Sequence, residues 1–168
     1  MVCLSAISVS LAEAQPKEVR LSDEQIVRLA IDVNAYEVQM GEFAAEKAVD
    51  VEVKFFGQAM ARDHRDLMIK ITALAERRNL PAMSTNLSEK LKTETDEAYV
   101  ELQGTDAAGF DRAYIIREVK YLQEIVELLD QKLLPNVQRE ELRTMLITLR
   151  TIFGRDLNRV KVLLAGAK

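Results

Sequence analysis

Five side chains of this chain have the chemistry to hold a metal ion or exchange a proton: Glu37, Asp63, His64, Glu118 and Asp156. His64 is the only histidine. Each of the four acids falls on the apolar stripe of a different predicted long helix. A carboxylate turned into a helical bundle is costly unless something offsets its charge. One offset is a cation. Carboxylate oxygens with one imidazole suit iron, manganese or zinc, and ferritin-like di-metal sites take a Glu from each of two helices and Glu-x-x-His from the other two. No Glu-x-x-His is present, because Ala61 stands three residues before His64. The second offset is pairing within the protein, with Arg62, Arg65, Arg117, Arg155 and Arg159 as cations and Tyr36, Tyr114 and Tyr121 as hydrogen-bond donors. A third reading leaves the acids at stripe edges, in water. Met40, Met60, Met68 and Met145 fit core filling better than soft-metal ligation.

The elements that must position these groups follow from periodicity. Leu21-Ser22-Asp23-Glu24-Gln25-Ile26 is a helix start, with Ser22 and Gln25 as a capping box and Leu21 stapling to Ile26. The first helix runs to about Ala48, and Ile26, Ala30, Val33, Met40 and Ala44 keep a 3.6-residue period that includes Glu37. Asp50 caps a second helix over 51–79 whose stripe is Phe56, Met60, Leu67, Ile71 and Leu74. Asp63 sits in that stripe and His64 at its flank. Residues 80–86 form a loop, and Asn86 with Glu89 suggests a cap for a polar helix over about 87–102. A fourth helix spans about 107–134, with Phe110, Tyr114, Tyr121, Ile125, Leu128 and Leu129 on one face and Glu118 in its middle. Pro135-Asn136 breaks the chain, and Asn136 is placed to cap a fifth helix over about 137–164, with Asp156 on its apolar stripe. The tail after Leu164 is expected to fray. Counting ~1.5 Å per residue from the first turn brings Glu37 and Asp63 to one level. From the second turn, Glu118 and Asp156 differ by about one helical turn.

Composition agrees with an all-α chain: 48% hydrophobic and 30% charged residues, six Gly, three Pro and no Trp in 168 residues. Length points to one domain over 22–164. The net charge of −4 carries no basic stripe with interleaved aromatics, so no nucleic-acid partner is expected. The one cysteine, Cys3, and the lack of a Gly-rich phosphate loop leave nucleophilic catalysis and nucleotide binding without support. Residues 1–14 are apolar and small and end in Ala12-Glu13-Ala14, an A-x-A pattern that predicts a truncated signal peptide, with a mature N-terminal tail over 15–21. No stretch is apolar for long enough to span a bilayer as a helix. The expected location is the periplasm, or the cytoplasm if the leader reading fails.

Three segments resemble a known family: Val33-Asn34-Ala35-Tyr36-Glu37 through Ala48, VKFFGQAMARDHRDL over 53–67, and FDRAY over 110–114. Together they are similar to a bacterial domain-of-unknown-function family of predicted exported or outer-membrane proteins with a ferritin-like four-helix bundle. The resemblance implies that fold and export, and no defined chemistry. The family often carries a second Asp-His pair in the helix after FDRAY and a further His in the last helix. Tyr121-Leu122 stands at the first place here and Arg155 or Asp156 at the second, so only Asp63-His64 is kept.

The resulting expectation is a ferritin-like up-down four-helix bundle with an extra short helix in the crossover between the second and fourth helices. Its role is that of an exported binding or stress-related envelope protein with an envelope protein as partner, and not that of an established enzyme. The alternatives are a carboxylate protein binding iron, manganese or zinc through the five residues above, and a structural interaction module.

Overall fold

The computed structural model describes residues 20–166. The predicted leader, Cys3, most of the N-terminal tail, and Ala167 and Lys168 lie outside the described residues. Four long helices carry the fold: α1 (Asp23–Lys47), α2 (Val51–Arg77), α4 (Ala107–Leu128) and α6 (Glu140–Gly166). The helix α3 (Asn86–Gly104) joins α2 to α4, and a π-helical turn (Leu129–Leu133) with the single turn α5 (Leu134–Asn136) joins α4 to α6.

Helix α1 packs on α2 and α4 packs on α6, with α2 against α6 and α1 against α4 closing the square. Residue pairs give the directions. Val33 meets Tyr121, Tyr36 meets Arg117 and Phe43 meets Phe110, so α1 and α4 are antiparallel. Arg78 pairs with Glu141, Asp63 with Arg155, and Arg159 lies over Phe56, so α2 and α6 are antiparallel too. Helices α2 and α4 therefore point the same way. Only a connection as long as the bundle can carry the chain back between them, and α3 is that connection, as in ferritin-like bundles. The directions run up, down, down, up, where simple alternation would have needed a short turn after α2.

Caps hold most of the expected boundaries. Ser22 and Gln25 form the capping box of α1, and Asp50 accepts from Glu52 N at 2.7 Å to cap α2. Helix α2 ends in a Schellman turn. Asn79 adopts φ 51°, with Leu80 N donating to Ala75 O and Asn79 N to Glu76 O. Two expected caps move. Helix α3 is capped by Thr85, whose backbone is extended, whose hydroxyl accepts from Ser88 N and whose own N–H donates to Ser88 Oγ; Asn86 is already inside the helix. Asn136 caps nothing ahead of it and donates back to Lys132 O at 2.8 Å. Pro135 offers no N–H to the carbonyl four residues earlier. The last turn of this stretch is wide, with Leu134 N donating to Leu129 O, and α6 starts only at Glu140. The N–H groups of Gln138 and Arg139, just before α6, are met by the Asp23 carboxylate at 2.9 and 3.1 Å. At the other end Asp111 of FDRAY accepts from Val49 N and Asp50 N, the latter at 2.7 Å, fastening the α1–α2 turn to α4. Gly154 does not interrupt α6, which continues past Leu164 to Gly166.

The core is a single apolar cluster around Phe110, Phe153, Tyr114, Met40 and Met60. The α1–α2 seam is tighter than the rest. A Cβ on Gly41 would stand 2.6 Å from both Ala61 N and Gly57 O, and one on Gly57 would stand 2.7 Å from Gly41 O. Glycine is required at both positions because backbone meets backbone. Gly41→Ala is expected to lower stability by ~1–3 kcal/mol or more. A guanidinium titration would show it as a lower midpoint in a protein whose helical circular dichroism is unchanged before the transition.

Candidate functional site

The helices turn four titratable side chains into the middle of the bundle: Glu37 from α1, His64 from α2, Glu118 from α4 and Asp156 from α6, each 0% exposed. Asn34 joins them, one turn before Glu37 on the same face of α1 and also fully buried. They form two linked groups.

The first is an acid pair. Glu37 and Glu118 lie within hydrogen-bonding reach of each other. No donor from any other described residue reaches their four carboxyl oxygens. Two carboxylates cannot share such a bond unless one carries a proton. Burial pushes Glu37 well above the usual carboxylate range, and the charge of Glu118, its hydrogen bond and the charge of Asp156 push the same way. Burial also raises Glu118, to about 7, held back by the hydrogen bond with Glu37 and by the Arg117 cation. Three tyrosines surround the pair. Tyr36 and Tyr121 meet in a tilted arrangement at 4.1 Å between ring centroids, and Tyr114, one turn before Glu118 on α4, has an unpartnered buried hydroxyl. Burial, then the charges of the pair, hold all three phenols in the neutral, hydrogen-bond-donating form.

The second group is a chain of polar side chains. Asn34 Nδ2 donates to Ala30 O at 2.7 Å, which turns its Oδ1 toward His64. His64 Nδ1 lies 2.8 Å from that oxygen, so Nδ1 carries the hydrogen. On the far side of the ring, His64 Nε2 is 3.5 Å from Asp156 Oδ2. That separation is long for a hydrogen bond. Arg155 Nε donates to Asp156 Oδ1 at 3.0 Å. Burial would raise Asp156, but the neighbouring His64 side chain and the hydrogen bonds and charge of Arg155 more than offset it and leave the acid below its ordinary value. The edge of the His64 ring packs on Phe153, 4.7 Å away between centroids.

Four of the five expected site residues therefore lie inside. Asp63 does not. The sequence places it in the stripe and His64 at the flank, and the structure reverses them: His64 is buried, while Asp63 sits half-exposed at the rim, paired with Arg62 and Arg155. The cause is the close α1–α2 seam, which points position 64 at Asn34. Arg155 bridges both acids, with Nη2 3.1 Å from Asp63 Oδ2. Asn34 was not singled out from the sequence, because its neutral side chain gives no titratable signal. Among the described residues no three His, Cys, Asp or Glu side chains converge to hold one metal ion.

Comparison with known proteins matches residues 8–163 to a family described as a domain of unknown function (DUF4142). No curated protein matches. Among solved structures, "CopM in the Cu(II)-bound form" is similar, with a TM-score of 0.67 and 16% sequence identity, over 88% of this chain and 100% of that chain. At this identity the likeness is one of fold, an all-helical bundle.

The raised acids give a signed pH dependence. In the unfolded chain Glu37 and Glu118 release their protons in the ordinary carboxylate range, while the folded protein holds them longer. The folded state then binds more protons, and stability falls as pH rises. For Glu118 the window runs from 4.5 to about 7. Asp156, whose value is lowered, contributes its loss only below the ordinary carboxylate range. Thermal melts across the Glu118 window should show a falling Tm, and Glu118→Gln should flatten that slope. An equally steep slope in Glu118→Gln would remove the pair as its source.

Proposed function

Because the chain belongs to the DUF4142 family, whose role is undefined, we propose a function from the site itself: an exported, non-catalytic envelope protein, of the binding or stress-related kind, built around a proton-holding carboxylate pair. Export rests on the A-x-A pattern of residues 12–14. Among the described residues no helix is long and apolar enough to cross a membrane. The observation that carries the reading is the meeting of Glu37 and Glu118 with no donor but each other. One shared proton removes a charge and supplies a hydrogen bond at once, which is the least costly way to bury two acids. A neutral Tyr114 hydroxyl stands ready as a further donor. Among the described residues, nothing in the interior pairs a nucleophile with a base and an open substrate cleft.

A second reading is favoured by the six buried polar atoms without partners: the four carboxyl oxygens, Tyr114 Oη and His64 Nε2. Orphaned atoms at this density are what an ion or ordered water satisfies. The donor types suit iron, manganese or zinc, and the fold neighbour is a copper-bound protein. The arrangement fits less well. The acid pair supplies only two metal-binding residues, His64 is committed to Asn34 and faces Asp156, and Asp63 is outside. A di-metal centre of Glu37, Asp63, His64, Glu118 and Asp156 would need α2 to rotate, so no step is assigned to a metal.

Elemental analysis of protein from Gln15 onward, purified without chelator from cells supplied with iron, manganese, zinc and copper, separates the readings. The proton reading expects less than a tenth of an equivalent of any metal, and Glu37→Gln, which keeps a donor facing Glu118, should fold with unchanged or higher Tm at neutral pH. A near-stoichiometric metal that is lost in Glu37→Gln would replace this reading with the carboxylate-metal one.

A further inference from the structure

Helix α3 is the least embedded element. Its buried residues are only Ser88, Ala98 and Leu102, although it runs the length of the bundle. Its C-terminal half is anchored by aromatic contact, Tyr99 against Phe43 at 5.0 Å. Its middle is not. There, between α3 and α1, lies a cavity of about 200 Å³ whose mouth carries Arg28, Asp32, Lys92 and Asp96 and whose floor is Tyr36 and Tyr121. The mouth charges are balanced in place by two ion pairs, Arg28 with Asp32 and Lys92 with Asp96. The floor is the tilted pair of rings whose phenols lie within the electrostatic reach of Glu37 and Glu118.

One side chain ties the cover to the floor. Arg117, on α4 and half-buried, donates through Nη2 to the Glu94 carbonyl of α3 at 3.3 Å and through Nε to Tyr36 Oη at 3.5 Å. It is also the cation that acts on Glu118. Both bonds are long, so the latch is weak. The acid pair is fully enclosed, yet any proton or ion that it exchanges must reach it.

We infer that this cavity is the entry port through which small cations, a hydrated proton or a single metal ion, reach Glu37 and Glu118, with α3 as its cover and Arg117 as the latch. The inference rests on the acid pair being the binding site, and not on which cation it holds. A size limit follows from the volume: about 200 Å³ holds a hydrated ion and a few waters, and no organic substrate of ordinary size. With Asp32 and Asp96 paired to Arg28 and Lys92, the mouth is neutral overall and does not repel a small cation. The Tyr36 ring must then turn aside, which it does when Arg117 lets go.

The test uses a hydrophobic carbodiimide, which reacts with protonated carboxyl groups, on the full mature protein after metal removal, read by peptide mass spectrometry at Glu37 and Glu118. Arg117→Ala should speed labelling at these two sites at least tenfold, and hydrogen exchange should rise in α3 but not in α2 or α6. Ala35→Phe, at an exposed position lining the cavity, should plug the port and slow labelling severalfold without loss of fold. Equal rates in all three proteins, or an acceleration in Arg117→Ala matched by faster exchange throughout the bundle, would overturn the port. If the as-purified protein is protected and chelation exposes it, the proton reading fails while the port stands. Manganese(II) binding followed by electron paramagnetic resonance then gives the on-rate, which the same two variants must shift in the same two directions.

Discussion

Everything in the interior depends on one constraint: two glutamates are buried close together, and among the described residues no side-chain donor from elsewhere reaches their carboxyl oxygens. Such a pair is tolerable only if it is not doubly charged. One proton meets that condition. The surrounding architecture follows the same logic. Tyr36, Tyr114 and Tyr121 supply neutral hydroxyls and ring surface instead of charges, and Arg117 is kept at the edge, near enough to moderate Glu118 without entering the core. A lysine or arginine at any of the three tyrosine positions would make a permanent ion pair and remove the pair's capacity to exchange.

The other half of the core solves the same problem differently. Asp156 is kept charged, and the offset comes from His64 on one side and Arg155 on the other. Asn34 makes this possible because its amide nitrogen is spent on Ala30, leaving only its oxygen for the imidazole. The bundle thus holds one acid whose charged form is favoured and two whose neutral form is favoured, within one electrostatic neighbourhood. Environments that push carboxyl groups apart in this way are characteristic of functional interiors.

The frame that imposes these environments is uneven. Helices α1 and α2 are locked together by the Gly41–Gly57 seam. Both ends of the bundle are tied by carboxylates acting across long sequence separations, Asp23 on the approach to α6 and Asp111 on the α1–α2 turn. Against that rigid square, α3 is a polar strap with few buried residues. Rigidity around the acids and looseness over the route to them are complementary: the first keeps the pair's geometry, the second lets it communicate with solvent.

Local chemistry made much of this visible in the sequence. Apolar periodicity, turn residues and capping signals give five helices, their order and nearly all their ends, and the stripe positions mark Glu37, Glu118 and Asp156 as inward. These features depend on neighbours within a turn or two, so the sequence determines them. What it could not determine depends on how two helices approach. The seam at Gly41 and Gly57 sets the rotation of α2 and so decides that His64, not Asp63, enters the core. Helix direction decides that α3 crosses the whole bundle. Long-range caps replace Asn136 with Asp23, because a cap needs an oxygen near free N–H groups and the chain supplies one from its other end. Whether two inward acids become a ligand set or a proton-sharing pair turns on ångström distances between four helices, and only tertiary packing sets those.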